Sequence, residues 1–108
     1  MDVEELFDAL KKTQEPKGFF NNRDMEQCLA LLEALLTNLK RYGYMACPCR
    51  LAKNDREADR DIICPCVYRS ADVEEFGSCY CGLYVSREWN RGEIPVGLVP
   101  ERRPAEKC

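Results

Sequence analysis

Cys47-Pro48-Cys49 is followed along the chain by Cys64-Pro65-Cys66 and then by Cys79-Tyr80-Cys81. Six of the eight cysteines thus fall in three Cys-x-Cys pairs, which are separated by 14 and then 12 residues. Three such pairs so close together are the least random feature of the sequence. We therefore expect residues 47–81 to hold the functional site and the flanking segments to be its scaffold.

The length and the charge of the chain limit the class of protein. With 108 residues, the chain is expected to form one small domain over 1–108, whose hydrophobic core alone gives modest stability. The net charge is -3 and acidic and basic residues are interspersed, which is not the pattern of a protein that binds nucleic acid or an anionic membrane. No apolar run approaches the roughly 20 residues that span a bilayer. We expect no nucleic-acid partner and no membrane partner.

The first residues and the absence of histidine limit the chemistry. Met1-Asp2-Val3-Glu4-Glu5 lacks the basic and apolar regions of a signal peptide, so we expect a cytoplasmic protein whose cysteines lie in a reducing compartment. In such a compartment, clustered cysteines indicate metal binding or redox chemistry more often than structural disulfides. The chain contains no histidine, which excludes Cys2His2 zinc sites and imidazole acid–base chemistry.

Two helices are predicted before the cysteine stretch. The first covers residues 2–14, where apolar residues recur at helical spacing. The second covers residues 23 to about 41, with Asn22 as N-cap and Gly43 as C-cap. Its apolar stripe, which we expect to face the core, comprises Met25, Cys28, Leu29, Leu32, Leu35, Leu36 and Leu39. We interpret Cys28 as a buried apolar residue of this stripe.

The later part of the chain has weaker signals. Alternating charges within 53–61 indicate a short exposed helix, and a capped start at Ser70 indicates a helix over 71–76 that ends at Gly77. Residues 83–85 are predicted to be extended.

The C-terminal segment is rich in proline, so we expect mostly loop, with a loose tail from about residue 100. Trp89 is interpreted as the anchor of this loop rather than as part of a docking surface. No function is assigned to Cys108.

The one-residue spacing of the cysteine pairs indicates ligation of a multinuclear centre. In an extended backbone, cysteines at i and i+2 point to the same side with Cα atoms about 6.5 Å apart, near the upper limit for a disulfide. Proline between them stiffens the backbone, so each Cys-Pro-Cys is predicted to be a fork of two thiols that do not pair with each other. Zinc modules usually have wider spacings. The spacing favours an iron–sulfur site over zinc or plain disulfides, and it leaves all three open.

The order Cys-Pro-Cys-Arg, Cys-Pro-Cys, Cys-x-Cys resembles the catalytic (beta) chain of ferredoxin:thioredoxin reductase. The resemblance implies a small mainly α domain whose helices surround a loop-bound [4Fe–4S] cluster. It implies that the cluster is held by Cys47, Cys64, Cys66 and Cys79. The remaining two cysteines of the pairs, Cys49 and Cys81, would then form the active-site disulfide, with Cys49 as the nucleophile and Cys81 as its cluster-proximal partner.

The activity implied by the resemblance is reduction of a protein disulfide with single electrons. A ferredoxin-like protein would donate the electrons and a thioredoxin- or glutaredoxin-like protein would accept them. Plant-type enzymes of the family also use a second small subunit, so such a subunit is a further expected partner.

Two further residues are candidates for a role in catalysis. Tyr80 occupies the position where plant and cyanobacterial members have histidine, which places this chain in a histidine-free bacterial or archaeal branch. A phenol with a pKa near ~10 does not replace an imidazolium at neutral pH, so Tyr80 either takes another role or packs over the cluster. Arg50 is placed to favour the thiolate of Cys49, or else it is a surface residue paired with Asp55, Glu57 or Asp59.

Two other classes of protein fit the cysteine pattern. A non-catalytic zinc-binding module would be colourless and would contain no reducible disulfide. An iron–sulfur electron carrier would hold a cluster but would show no thiol-dependent turnover.

Overall fold

Helices and one small sheet support the loops that carry the cysteines. The structure, a computed structural model, describes residues 1–107, of which about half are helical. The α-helices are α1 (Val3–Gln14), α2 (Met25–Tyr42), α3 (Arg69–Phe76) and α4 (Arg87–Asn90). Strands β1 (Phe20–Asn21) and β2 (Tyr84–Val85) pair antiparallel. Short 3-10 helices cover Glu15–Lys17, Arg60–Ile62 and Ala105–Lys107. The prediction of a small, mainly helical domain is confirmed.

Helix α1 forms where the sequence predicts a helix. The side chain of Asp2 accepts a hydrogen bond from the backbone N–H of Glu5 at 2.8 Å, which caps the first turn. Acidic residues in the first turn and lysines in the last complement the helix dipole. Leu6 and Gln14 are its buried residues.

Helix α2 is also confirmed, but its N-cap is not Asn22. The cap is Asp24, whose carboxylate accepts from the N–H of Gln27 at 3.2 Å. Asn22 accepts instead from the N–H of Asp24 and donates to the carbonyl of Gly82 at 2.8 Å. The prediction was wrong because this long-range bond, 60 residues along the chain, has no local signal. Gly43 ends the helix at φ 83°, as predicted.

The apolar stripe of α2 is only partly buried. Cys28, Leu32 and Leu35 are fully buried, which confirms Cys28 as a core residue. The stripe was predicted too wide, since its other flank remains exposed at Met25, Leu29 and Leu39. One row of the helix packs into the core, and the neighbouring row faces solvent.

The segment 53–61 is a turn that runs into the 3-10 helix, not the predicted exposed helix. It forms one helical backbone bond, from the N–H of Asp59 to the carbonyl of Asp55, and its other polar groups bond largely to side chains. The carboxylate of Asp55 accepts from the N–H of Glu57 at 3.0 Å, and the buried carboxylate of Asp59 accepts from the N–H of Lys53 at 2.8 Å.

The later elements follow the predictions with two exceptions. Helix α3 begins at Arg69 after Tyr68, without the predicted side-chain cap from Ser70, and it ends at Gly77 as predicted. Helix α4 was not predicted; the hydroxyl of Ser86 caps it by accepting from the N–H of Trp89 at 3.1 Å. Trp89 is buried, which confirms its interpretation as an anchor.

The core lies between α1, α2, α3 and the segment that contains β2. Its buried members are Leu6, Cys28, Leu32, Leu35, Val73, Cys79, Leu83 and Tyr84. Because this cluster includes Cys79 and the residues after Cys81, the last cysteine pair is fixed to the core itself. None of the helices within residues 1–107 is both long and apolar enough to cross a membrane.

Candidate active site

The first two cysteine pairs are brought together by backbone pairing. Ala46 and Ile63 form an isolated antiparallel bridge. On either side of it, the N–H of Cys47 donates to Ile62 and the N–H of Cys64 donates to Met45, each at 2.8 Å. Because the pairing is antiparallel, the two Cys-Pro-Cys units start from opposite ends of this short ladder, one on each side of the Ala46–Ile63 pair.

The first Cys-Pro-Cys unit is a turn rather than the predicted extended fork. The N–H of Arg50 donates to the carbonyl of Cys47 at 3.2 Å. This closes a four-residue turn with Pro48 at its second position, which is where proline is favoured. The turn leaves Cys47 buried and Cys49 exposed, so the two thiols do separate into different surroundings.

A second tight turn positions the last cysteine pair. The N–H of Gly82 donates to the carbonyl of Cys79 at 3.0 Å, and Gly82 has a φ of 82°. The N–H of Tyr84 also points to the sulfur of Cys79 at 3.4 Å. This turn brings the sulfurs of Cys79 and Cys81 to 3.8 Å from each other.

The six paired cysteines are divided between an enclosed cavity and an open groove. Five of them, Cys47, Cys64, Cys66, Cys79 and Cys81, line the cavity, whose volume is about 270 Å³ with the solvent-open space at its mouth included. The groove, about 1120 Å³ by the same measure and partly open to solvent, is lined by Cys49, Cys79 and Cys81. The sixth cysteine, Cys49, thus meets only the groove, and Cys79, Tyr80 and Cys81 form the wall between the two spaces.

The thiol of Cys81 is the hydrogen-bond partner of three others. Its hydrogen bond lowers the pKa of Cys79 to about 6 and the pKa of Cys47 to about 7. The same kind of bond lowers the pKa of Cys49. The pKa of Cys81 is raised because it donates to these thiols. Among these four thiols Cys81 therefore holds its proton most strongly, whereas burial raises the pKa of Cys64 and of Cys66, which line the same cavity.

Arg50 lies inside the site and not on the surface. Its side chain is 3% exposed. Its Nη1 donates to the sulfurs of Cys47 and Cys66, at 3.6 Å in both cases. The guanidinium lies 4.5 Å from the ring centre of Tyr80 and 5.3 Å from that of Tyr68. The alternative of a surface arginine paired with one of three nearby acidic residues is therefore wrong.

The carboxylate partner of Arg50 is Glu101, 51 residues further along the chain. Nε and Nη2 of Arg50 donate to the two oxygens of Glu101 at 2.7 and 2.6 Å. Burial alone would lower the pKa of Arg50, but the bond to Glu101 and the negative charges of Glu101, Cys47 and Cys66 together outweigh it, and the pKa is raised. Arg50 therefore stays cationic at any working pH. The path of the C-terminal segment over the site had no signal in the sequence.

Two buried donors in the enclosed cavity have no hydrogen-bond partner among residues 1–107. They are the Nε–H of Arg69 and the hydroxyl of Tyr84, which lies near the thiol of Cys64 but makes no hydrogen bond of ordinary geometry to it. Arg69 is held in place because its Nη1 donates to Gln14 at 2.7 Å and its guanidinium lies 3.8 Å from the ring centre of Phe19. Unpartnered buried donors are costly, and they indicate that an acceptor belongs in this cavity.

The donor set of the cavity fits an iron–sulfur cluster. Four cysteine sulfurs are the usual ligands of such a cluster, and its sulfides accept hydrogen bonds of the kind that Arg69 and Tyr84 can donate. The cationic side chains of Arg50 and Arg69 also suit an anionic group. Within residues 1–107, no group of three or more cysteine or acidic side chains converges on one metal-ion position.

The remaining cysteines lie away from the site or outside the described residues. Cys28 is fully buried in the core and does not line either space. Cys108 lies outside the residues that the structure describes. None of the seven cysteines that are described is part of a disulfide.

The fold and the site together define a class of protein: a small protein, about half helical, whose cysteines are gathered by loops around a buried cavity. A family model described as ferredoxin thioredoxin reductase catalytic beta chain matches residues 2–95 of the 108 residues. The chain belongs to this family, as the cysteine order predicted. The family name denotes a reductase with ferredoxin and thioredoxin as its partners, and the family in general binds an iron–sulfur cluster. No curated protein significantly matches the chain.

Proposed function

We propose that the protein is an iron–sulfur disulfide reductase. It passes single electrons from a ferredoxin-like donor to an active-site disulfide, which reduces a thioredoxin- or glutaredoxin-like protein. One observation carries the proposal: the enclosed cavity and the open groove share a wall that contains Cys81. A group bound in the cavity and a protein docked in the groove would then be separated by one side chain.

The cluster ligands in this proposal are Cys47, Cys64, Cys66 and Cys79. All four line the enclosed cavity together with the two unpartnered donors. When bound, a [4Fe–4S] cluster supplies electrons one at a time. Of these four cysteines only Cys79 also lines the groove, and Cys49 lines no part of the cavity, so the attacking thiol remains free.

Cys49 is the nucleophile because it is the exposed thiol in the groove. Its thiolate attacks one sulfur of the acceptor disulfide, a mixed disulfide forms, and the other acceptor sulfur leaves as a thiolate. Cys81 then attacks the sulfur of Cys49, which releases the second acceptor thiolate and leaves a Cys49–Cys81 disulfide. Two electrons from the donor and two protons restore the dithiol.

Tyr80 supports this chemistry through Arg50 rather than by proton transfer. Its ring lies on the guanidinium that contacts the sulfurs of Cys47 and Cys66. No histidine is present in the sequence, so the protons are carried by the thiols, with Cys81 as the thiol of raised pKa. The cycle needs a reducing compartment, and we place it in the cytoplasm. A second small subunit, as the family name's beta chain implies, is part of the proposal.

Anaerobic purification followed by iron, sulfide and zinc analysis tests the proposal. We expect about four irons and four sulfides per chain. Alkylation with iodoacetamide and mass spectrometry should then show Cys49 and Cys81 protected in the oxidised protein and modified after reduction. Zinc in place of iron, or Cys49 and Cys81 alkylated before reduction, would overturn it.

A further inference from the structure

The charge that faces the cysteine sulfurs is set by a residue outside the matched family region. The match ends at residue 95, and Glu101 lies beyond it. Yet both oxygens of Glu101 accept hydrogen bonds from Arg50, the residue whose Nη1 contacts the sulfurs of Cys47 and Cys66. A bidentate pair of this kind fixes both the position and the plane of the guanidinium.

Glu101 is itself held rigidly. One of its oxygens also accepts from the backbone N–H of Arg103 at 2.9 Å. The side chain of Arg103 is 2% exposed and donates to both oxygens of Asp61, at 2.9 and 3.2 Å. Asp61 in turn accepts from the hydroxyl of Tyr68 at 2.7 Å, and the ring of Tyr68 faces Arg50. These contacts therefore form a closed network that begins and ends at Arg50.

This closed network explains why a cation can be buried beside the sulfurs. A buried guanidinium without a compensating anion is costly. Glu101 supplies the compensating charge on one side of the guanidinium, while Tyr68 and Tyr80 cover its faces. Its remaining donor, Nη1, is left for the sulfurs.

We propose that Glu101 and Arg50 form a charge pair that sets the redox potential of the cysteine site. Arg50 acts on the sulfurs directly, and Glu101 is a positioning residue that holds Arg50 in place and partly neutralises it. The inference rests on the proposed iron–sulfur function. Hydrogen bonds and charge near the sulfurs are recognised determinants of cluster potential.

The charge pair predicts that the midpoint potential shifts in opposite directions in Arg50→Gln and Glu101→Gln. In Arg50→Gln the cation is lost, which disfavours the more negative reduced state and moves the midpoint potential to a more negative value. In Glu101→Gln the amide still accepts one hydrogen bond and the two tyrosine rings still hold the guanidinium. Its charge is then uncompensated, and the potential moves to a more positive value. Glu101→Asp, which keeps the charge, should lie close to wild type.

Redox titration of the purified proteins, followed by visible absorbance, measures these shifts. Glu75→Gln is the matched control, because Glu75 pairs with Arg102 of the same C-terminal segment and does not line the cavity. It should titrate like the wild type. Shifts of the same sign in Arg50→Gln and Glu101→Gln, or shifts no larger than that of the control, would overturn the inference while leaving the proposed function intact.

A second measurement tests the pair without the cluster. If the wild-type protein holds no iron, the proposed function fails, and the geometry is examined by NMR on the metal-free chain. Hydrogen exchange of the Arg50 Nε–H should be slow in the wild type and in Glu75→Gln, and fast in Glu101→Ala, whose side chain has no acceptor. Equal exchange in all three proteins would contradict the role of Glu101.

Discussion

At the scale of single residues, the site depends on the different surroundings of Cys49 and Cys81. Cys49 is exposed in the groove, whereas Cys81 lies in the wall that the groove shares with the enclosed cavity. In the proposed cycle, the exposed thiol attacks the partner protein and the thiol behind it resolves the mixed disulfide.

The two serine variants should therefore behave differently toward an oxidised thioredoxin-like protein. In Cys81→Ser, reduced Cys49 attacks the partner disulfide and no second thiol resolves the product. We expect a covalent complex that survives on a non-reducing gel and is released by dithiothreitol. In Cys49→Ser we expect no complex and at least ~10²-fold lower disulfide reduction, since the nucleophile is absent. A stable complex formed by Cys49→Ser would show that the roles are reversed.

The ring of Tyr80, rather than its hydroxyl, should matter for stability. The guanidinium of Arg50 lies 4.5 Å from the ring centre. Tyr80→Phe keeps this contact and should leave the free energy of unfolding nearly unchanged. Tyr80→Ala removes it and should lower that free energy by about 1–2 kcal/mol, the range of a desolvated cation–π contact. Urea denaturation of both variants measures the difference; equal losses in the two would assign the effect to the hydroxyl.

The sequence predicts single site residues only where the signal is local. The three cysteine pairs could be recognised from their spacing in the sequence, and residues 2–95 do belong to the predicted family. The side chains that contact these cysteines in the folded protein could not be predicted. Glu101 is positioned by its bond to Arg50, which lies 51 residues away in the sequence. Arg69 is positioned by its bond to Gln14, which lies 55 residues away. Such contacts depend on the path of the folded chain, which no local pattern describes.

At the scale of elements, the ends of the helices were predictable because caps are local. Helices α2 and α3 end at glycines with φ of 83° and 81°, where residues with a Cβ are disfavoured. The segment 53–61 failed as a helix prediction because its side chains compete for backbone bonds, and the outcome depended on the buried position of Asp59.

The two helix-ending glycines offer a matched test of packing against conformation. A Cβ at Gly43 would meet nothing within 4 Å, whereas one at Gly77 would lie 2.9 Å from Ile94 and 3.2 Å from Trp89. Gly43→Ala should cost about 1 kcal/mol for the left-handed backbone alone. Gly77→Ala should cost about 2–3 kcal/mol, because the side chains of the C-terminal segment must also move.

The free energies of unfolding of these two variants, measured in urea, separate the cost of the backbone conformation from the cost of packing. The Gly77 variant should also show faster proteolysis after residue 90, because Trp89 anchors that segment to α3. Equal losses for Gly43→Ala and Gly77→Ala would mean that Ile94 and Trp89 do not pack against Gly77 in solution.

At the scale of the whole molecule, the C-terminal segment is tied to the body by arginine–carboxylate pairs. Glu101 pairs with Arg50, Arg102 with Asp72, and Arg103 with Asp61. The hydrogen bond from Arg50 lowers the pKa of Glu101. Burial acts to raise the pKa of Asp61, but the bonds from Arg103 and Tyr68 outweigh it and the pKa is lowered.

A carboxylate whose pKa is lower in the folded state stabilises the fold above its unfolded pKa, and this contribution is lost as the pH falls through the folded value. The unfolded values are about 3.9 for Asp and 4.3 for Glu. The contribution of both pairs should therefore be fully present above about pH 5 and should decrease progressively at lower pH.

Asp61→Asn should be less stable than wild type at pH 7, and this deficit should shrink as the pH is lowered from 5 toward 3. Glu57→Gln, whose pair with Arg60 is exposed, should differ little from wild type at any pH, since exposed pairs contribute little. Urea denaturation across this range compares the proteins, and because all of them share the same cysteine site, the difference between them isolates the carboxylates. A deficit of Asp61→Asn that is independent of pH would mean that Arg103 holds the C-terminal segment by packing and not by charge.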